Sequence, residues 1–119
     1  MVKRVGGDWT RFRELPGVRE VDFHYEDAGN PWVQKIPYWQ RMEEVWSTAF
    51  EVLKSAQEEG YKYVLFIHGS STSRPGRTTT RSVIRSFIRS TESTPFVIKS
   101  RSKQHDTVFL AVIRPANKD

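Results

Sequence analysis

Residues 38–69 read YWQRMEEVWSTAFEVLKSAQEEGYKYVLFIHG, and this stretch decides the fold. From Trp39 the apolar residues Met42, Val45, Trp46, Ala49, Leu53 and Ala56 fall three or four apart, which lines them along one face of a helix. Gly60 follows Glu58-Glu59 where a helix C-cap belongs, so the spacing predicts a helix over 38–59. Tyr63 to Ile67 (YVLFI) is short and apolar at successive positions, the pattern of a strand buried on both faces in the middle of a sheet. It ends at His68-Gly69.

Upstream, Val18 to His24 alternates, with Val21 and Phe23 apolar between Arg19, Asp22 and His24, and predicts a short strand partly open to water or at a sheet edge. Ala28-Gly29-Asn30-Pro31 then reads as a loop. Residues 1–17 show no clear period and end in the turn signal Leu15-Pro16-Gly17, so they read as an arm or extension carrying Trp9 and Phe12. Downstream of His68, a hydroxyl-rich turn leads to Thr78–Thr80, which offer an N-cap for a second helix running to about Ser90. Val83, Ile84, Phe87 and Ile88 make its apolar side, and Arg81, Arg85 and Arg89 line up along the other. Phe96 to Ser102 reads as a strand alternating with Lys99 and Arg101, Lys103 to Asp106 as a turn, and Val108 to Ile113 as a second buried strand.

The order β-α-β-α-β-β predicts an α/β chain, a two-layer sandwich of two helices on a four-stranded mixed sheet. Burial patterns put the second and fourth strands inside and the first and third at the edges, which is order 1-2-4-3. With 119 residues, this is one domain over 18–114, followed by a short tail at 115–119. A hydrophobic content of 37% with four tryptophans supplies a core and speaks against disorder. Zero cysteines exclude a disulfide framework, a thiol nucleophile and thiolate-bound metals. No apolar run approaches the roughly 18 residues of a membrane helix, so no membrane partner and a cytoplasmic location are expected.

Charge is unevenly spread. Residues 1–59 carry net −3 and residues 60–119 net +8. Arg74, Arg77, Arg81, Arg85, Arg89, Lys99 and Arg101 are interrupted only by Glu92, a density suited to a polyanion, DNA or RNA. Like charges at i and i+4 repel by a few tenths of a kcal/mol per pair, and a bound anion offsets that.

A strand-helix-strand crossover makes its strands parallel, so the first two strands end along one sheet edge, where ligands sit in open α/β sheets. Asp22 and His24 end the first strand and His68 the second. The loop after His68 leads into the N-terminus of the arginine-bearing helix, where free N–H groups favour phosphate. Gly69 allows close backbone approach, and Ser70, Ser71, Thr72 and Ser73 add hydroxyl donors. Asp22, His24, Glu26 and Asp27 are of the types that ligate magnesium or manganese, although no metal site is assigned. Trp39, Trp46, Phe87 and Phe109 read as core, and His105 as an ordinary turn residue. Trp9, Trp32 and Tyr38 suit either base stacking or cover for the sheet face that both helices leave open. That face, or the N-terminal arm, also offers a homodimer contact.

The elements VDFH (21–24) and VLFIHGSSTS (64–73), separated by a helix ending in Gly60 and followed by a second helix and a β pair, resemble the small MutS-related (Smr) family over roughly residues 18–114. Asp22 and His24 fall on that family's L-D-x-H-G element, and His68, Gly69 and Thr72 on its H-G-x-G-T-G element. Tyr25, Ser71 and Ser73 stand where the family has glycine. The resemblance implies the fold of the C-terminal domain of translation initiation factor three, with the same strand order, and an endonuclease that nicks DNA or cleaves RNA. It implies that His68 contacts or protonates the scissile phosphate, that Asp22 orients a histidine or a metal-bound water, and that His24 is a second acid/base group. Two further functions fit the residues: a non-catalytic nucleic-acid-binding module using the basic face of the second helix, and a small-phospholigand or protein-interaction domain.

Overall fold

The computed structural model describes residues 2–23, 38–69 and 80–116, with the backbone alone for 38–41. Helix α1 (Tyr38–Glu59) forms where the apolar spacing predicts it, and Val45, Ala49, Leu53 and Ala56 are fully enclosed. It stops at Gly60, whose φ is +82°. There the Tyr61 N–H donates to Ala56 O at 2.9 Å and the Gly60 N–H to Gln57 O at 3.3 Å, the paired bonds that satisfy the last carbonyls of a helix. A side chain at position 60 would hold a left-handed backbone at a cost of about 1 kcal/mol.

The chain returns as β3 (Tyr63–Ile67), parallel to β2 (Val18–Asp22), with Val18 opposite Tyr63 and Asp22 opposite Ile67. Helix α2 (Thr80–Arg89) follows and buries Val83, Ile84, Phe87 and Ile88. The last strand, β5 (Val108–Val112), runs antiparallel to β3. Alternate residues of these strands build two apolar clusters. Val64, Phe66, Phe109 and Ala111 pack under α1 and α2; Leu65, Ile67, Val108 and Leu110 face the other way. Trp46 is joined to this core edge-on against Phe87, with ring centroids 5.2 Å apart, and its indole N–H donates to Glu92 Oε2 at 2.6 Å.

With β1 (Lys3–Arg4) and β4 (Lys103–Gln104) added, the sheet is mixed and five-stranded, not four-stranded, in the order β1-β4-β5-β3-β2. The strand expected over Phe96–Ser102 is the main departure. Val97 makes one isolated bridge to Ile113, Lys99–Arg101 turns into a 3-10 helix, and pairing resumes only at β4, in the expected turn. The reason is local. The Val112 N–H donates to Ser102 Oγ at 3.0 Å and Ser102 Oγ–H donates to Ile98 O at 2.9 Å, so a side chain satisfies the strand where the backbone loops out.

The N-terminal extension supplies the fifth strand. β1 runs parallel to β4, with Lys3 N–H on Ser102 O and Val5 N–H on Gln104 O, so β4 is interior instead of an edge. A 3-10 helix (Trp9–Glu14) follows, capped by Asp8 Oδ1, which accepts from the Thr10 N–H at 3.0 Å. It lays Trp9, Phe12 and Leu15 on the Leu65–Leu110 face. For the sheet face that both helices leave open, expected to be covered or to offer a dimer contact, Trp9, Phe12 and Leu15 thus supply cover from the chain itself. Among the described residues no helix is long and apolar enough to cross a membrane.

Candidate nucleic-acid interface

The parallel pairing of β2 and β3 brings their carboxyl ends together, and the Phe23 N–H donates to Ile67 O at 2.9 Å. The pleat then separates the side chains expected to meet. Val21 and Phe23 join the helix-side core, so Asp22 between them projects to the opposite face. Ile67 belongs to the outer cluster, so His68 projects to the helix side. Asp22 and His68 share an edge but lie on opposite faces. His24, Glu26, Asp27, Trp32, Ser70, Ser71, Thr72, Ser73, Arg74 and Arg77 lie outside the described residues, as do the side chains of Tyr38 and Trp39. Among the described residues no group of three or more acidic or histidine side chains is placed to hold a metal ion.

His68 is 3% exposed, and both its ring nitrogens are engaged. Nδ1 is 2.7 Å from Gly69 O and Nε2 is 3.0 Å from Gln104 Nε2. The Gln104 amide nitrogen is held by His105 O at 2.6 Å, and an amide nitrogen only donates. Nε2 is therefore the acceptor and Nδ1 carries the proton. Burial pulls the His68 pKa down to about 4, the Gly69 carbonyl opposing, with Arg81 and Arg85 adding to the fall. The ring is neutral at pH 7, and both nitrogens are hydrogen-bonded within the chain. Gly69 is likewise committed: at φ +85° its N–H donates to Thr107 O at 3.0 Å instead of standing open to a phosphate. His105 links segments, with Nε2–H on Gly7 O at 2.8 Å and Nδ1 accepting from the Thr107 N–H.

The arginines of α2 are arranged differently. Arg81 and Arg85 are half-buried and Arg89 is exposed, one turn apart along the helix. The Arg85 guanidinium is held below its usual pKa first by burial, then by the positive charges of Arg81, Arg4 and Arg89, opposed among the described residues by Asp106. Arg4 comes from β1, whose register puts it beside Gln104 and hence on the helix side. Its ion pair with Asp106 spans 4.0 Å between two largely exposed side chains, a contact worth little in water. Between α2 and β1 lies a cleft of about 320 Å³, with Arg4 and Val2 on one side, Arg85 and Arg89 on the other, and Ile88, Gln104 and Phe109 beneath. At the start of α2 the Thr80 hydroxyl is buried with no hydrogen-bond partner among the described residues.

Two basic residues expected in this surface lie elsewhere. Lys99 Nζ donates to Ser90 O at 2.9 Å, satisfying a carbonyl just past the last turn of α2, where a cation is favoured. Arg101 lines a separate hollow with Tyr61, Lys62 and Pro115.

No family model, curated protein or solved structure matches this chain. The functional reading therefore rests on the site itself. Sequence reasoning missed Arg4 and Gln104. Val2 and Val5 flanking Lys3-Arg4 are the one hint of a short strand there; Gln104, in a stretch read as a turn, carried no signal.

Proposed function

We propose that the protein is a nucleic-acid-binding module whose contact surface is the guanidinium face of Arg81, Arg85 and Arg89 on α2, joined by Arg4 of β1. What carries this reading is the crowding itself: Arg4, Arg85 and Arg89 line one cleft, and among the described residues three guanidiniums, those of Arg81, Arg4 and Arg89, act on Arg85 against one acid. Among the described residues the other crowded arginine contacts are matched ones, such as Arg13 with Glu20 and Arg19 with Glu59. Positive charge kept unmatched beside a cleft suits a ligand that brings its own negative charge, and arginine forks suit phosphate oxygens. His68 serves the fold in this reading, so binding does not depend on cleavage.

The test is a binding titration of labelled single-stranded DNA and RNA across a salt series, run with magnesium, manganese or a chelator. Affinity is expected to fall by about 0.7–0.9 log units per tenfold rise in salt for each phosphate neutralised, with a shallower slope for Arg81→Gln and Arg85→Gln. The strands are expected to stay intact in every lane. Salt-independent affinity, or slopes unmoved by both variants, would count against the binding surface. Cleavage present in wild type and absent in His68→Ala would replace this reading with the endonuclease.

A further inference from the structure

We propose that the cleft between α2 and β1 seats the terminal phosphomonoester of a nucleic-acid strand, so that the module recognises strand ends. The inference rests on the nucleic-acid reading and goes beyond it in assigning one group of the ligand to one pocket.

Three arginines on one helix face form a row, which can track a run of backbone phosphates. Arg4 changes the geometry, because it stands on a different element across a floor made by Ile88, Gln104 and Phe109. The floor residues are 2%, 6% and 1% exposed, so the cleft is closed beneath. A pocket walled by guanidiniums on two sides and closed beneath suits a group that projects into it. At about 320 Å³ it sits at the small end of ligand sites. An internal phosphodiester offers two free oxygens and one negative charge and is tethered on both sides. A terminal phosphomonoester offers three oxygens and about −1.5 to −2 charge at pH 7 from a single tether. Arg4, Arg85 and Arg89, approaching from two walls with planar donor forks, match the second better. Arg4 reaches the cleft because three contacts hold its segment: Lys3 N–H on Ser102 O, Val5 N–H on Gln104 O, and the His105 ring on Gly7 O.

The experiment measures binding of one short single-stranded sequence in three forms, phosphorylated at the 5′ end, at the 3′ end, or at neither, to the full chain at fixed salt. At least one phosphorylated form is expected to bind about tenfold tighter than the unphosphorylated strand. Arg4→Ala and Arg85→Gln are expected to shrink that ratio below about threefold, and Lys54→Ala, on the exposed side of α1, to leave it unchanged. Arg4 is largely exposed, so its variant keeps the inference testable if Arg85→Gln disturbs the fold. Equal affinity for all three forms overturns the strand-end assignment and leaves the nucleic-acid reading standing. A ratio that survives Arg4→Ala overturns the pocket assignment. Adenosine monophosphate binding as tightly as the phosphorylated strand moves the site to a free nucleotide and overturns it too. No binding of any form overturns the nucleic-acid reading itself.

Discussion

The two faces of the sheet treat charge in opposite ways. On the outer face Arg13 donates from both Nε and Nη2 to the Glu20 carboxylate at 2.9–3.1 Å and lies over the Trp9 ring, while Lys103 stands over Phe12. On the helix side, around α2, Arg85 faces three other arginines, a buried histidine is kept neutral, and a buried hydroxyl has no partner among the described residues. On the first face these charged groups are matched locally. The second gathers like charge that its described neighbours do not match, which is what the proposed contact surface requires.

The contrast breaks most visibly in binding. Replacing Arg81, Arg85 and Arg89 together by Glu is expected to weaken single-strand binding by about a thousandfold, about one log unit for each phosphate left without its arginine near 0.1 M salt, while the folded state persists by circular dichroism. The same triple change in a protein that used this face only for solubility would leave binding untouched.

Next in size is the response to acid. The His68 pKa falls from 6.5 in the unfolded chain to about 4 in the fold, so the fold favours the neutral ring. That stability is complete above pH 6.5 and is lost as the pH drops toward 4, on the order of 3 kcal/mol in all. Denaturant midpoints measured between pH 7 and pH 4 are expected to fall accordingly, and His68→Gln to flatten the dependence. A flat profile in the wild type would show that the ring is not held as described.

Thr80→Val is expected to stabilise the protein by about 1 kcal/mol, because an unpaired buried hydroxyl is exchanged for a methyl of the same shape. Thermal unfolding reads this directly, and a loss of stability would mean the hydroxyl is in use. The smallest effects fall on the outer face. Arg13→Ala should cost about 0.5 kcal/mol, the worth of an exposed ion pair, and should leave nucleic-acid affinity unchanged at moderate salt. If it moved binding as far as Arg85→Gln does, the two faces would not differ in function.

Much of this architecture is legible in the chain. α1 and β3 are read directly, because a steady three-to-four spacing, a terminating Gly60 and a doubly apolar YVLFI leave little choice. The central placing of β3 and β5 follows from the same burial pattern. β1 is not legible, since two residues show no period, and its partner stands 100 positions away. The break in the strand after Val97 depends on one hydroxyl, Ser102 Oγ, standing in for backbone. In the site, the arginine row announces itself at i, i+4 and i+8, but Arg4 joins it only through tertiary pairing. The edge shared by Asp22 and His68 follows from topology. Their separation follows from register, in which a shift of one residue exchanges the faces. The state of the His68 ring is set by Gln104, a contact across 36 positions that no local pattern announces.

The pairing of β1 with β4 has a consequence for how the protein comes into being. Lys3 leaves the ribosome 100 residues before Lys103, its partner in the sheet, so the nascent chain carries this segment unpaired until β4 has been made. The β2-α1-β3 unit can assemble early, from residues 18–67. The wall that Arg4 supplies cannot exist until β4 has emerged. A chain still on the ribosome thus has its helix arginines before it has its cleft, and the proposed pocket takes shape only once β4 is there to hold β1.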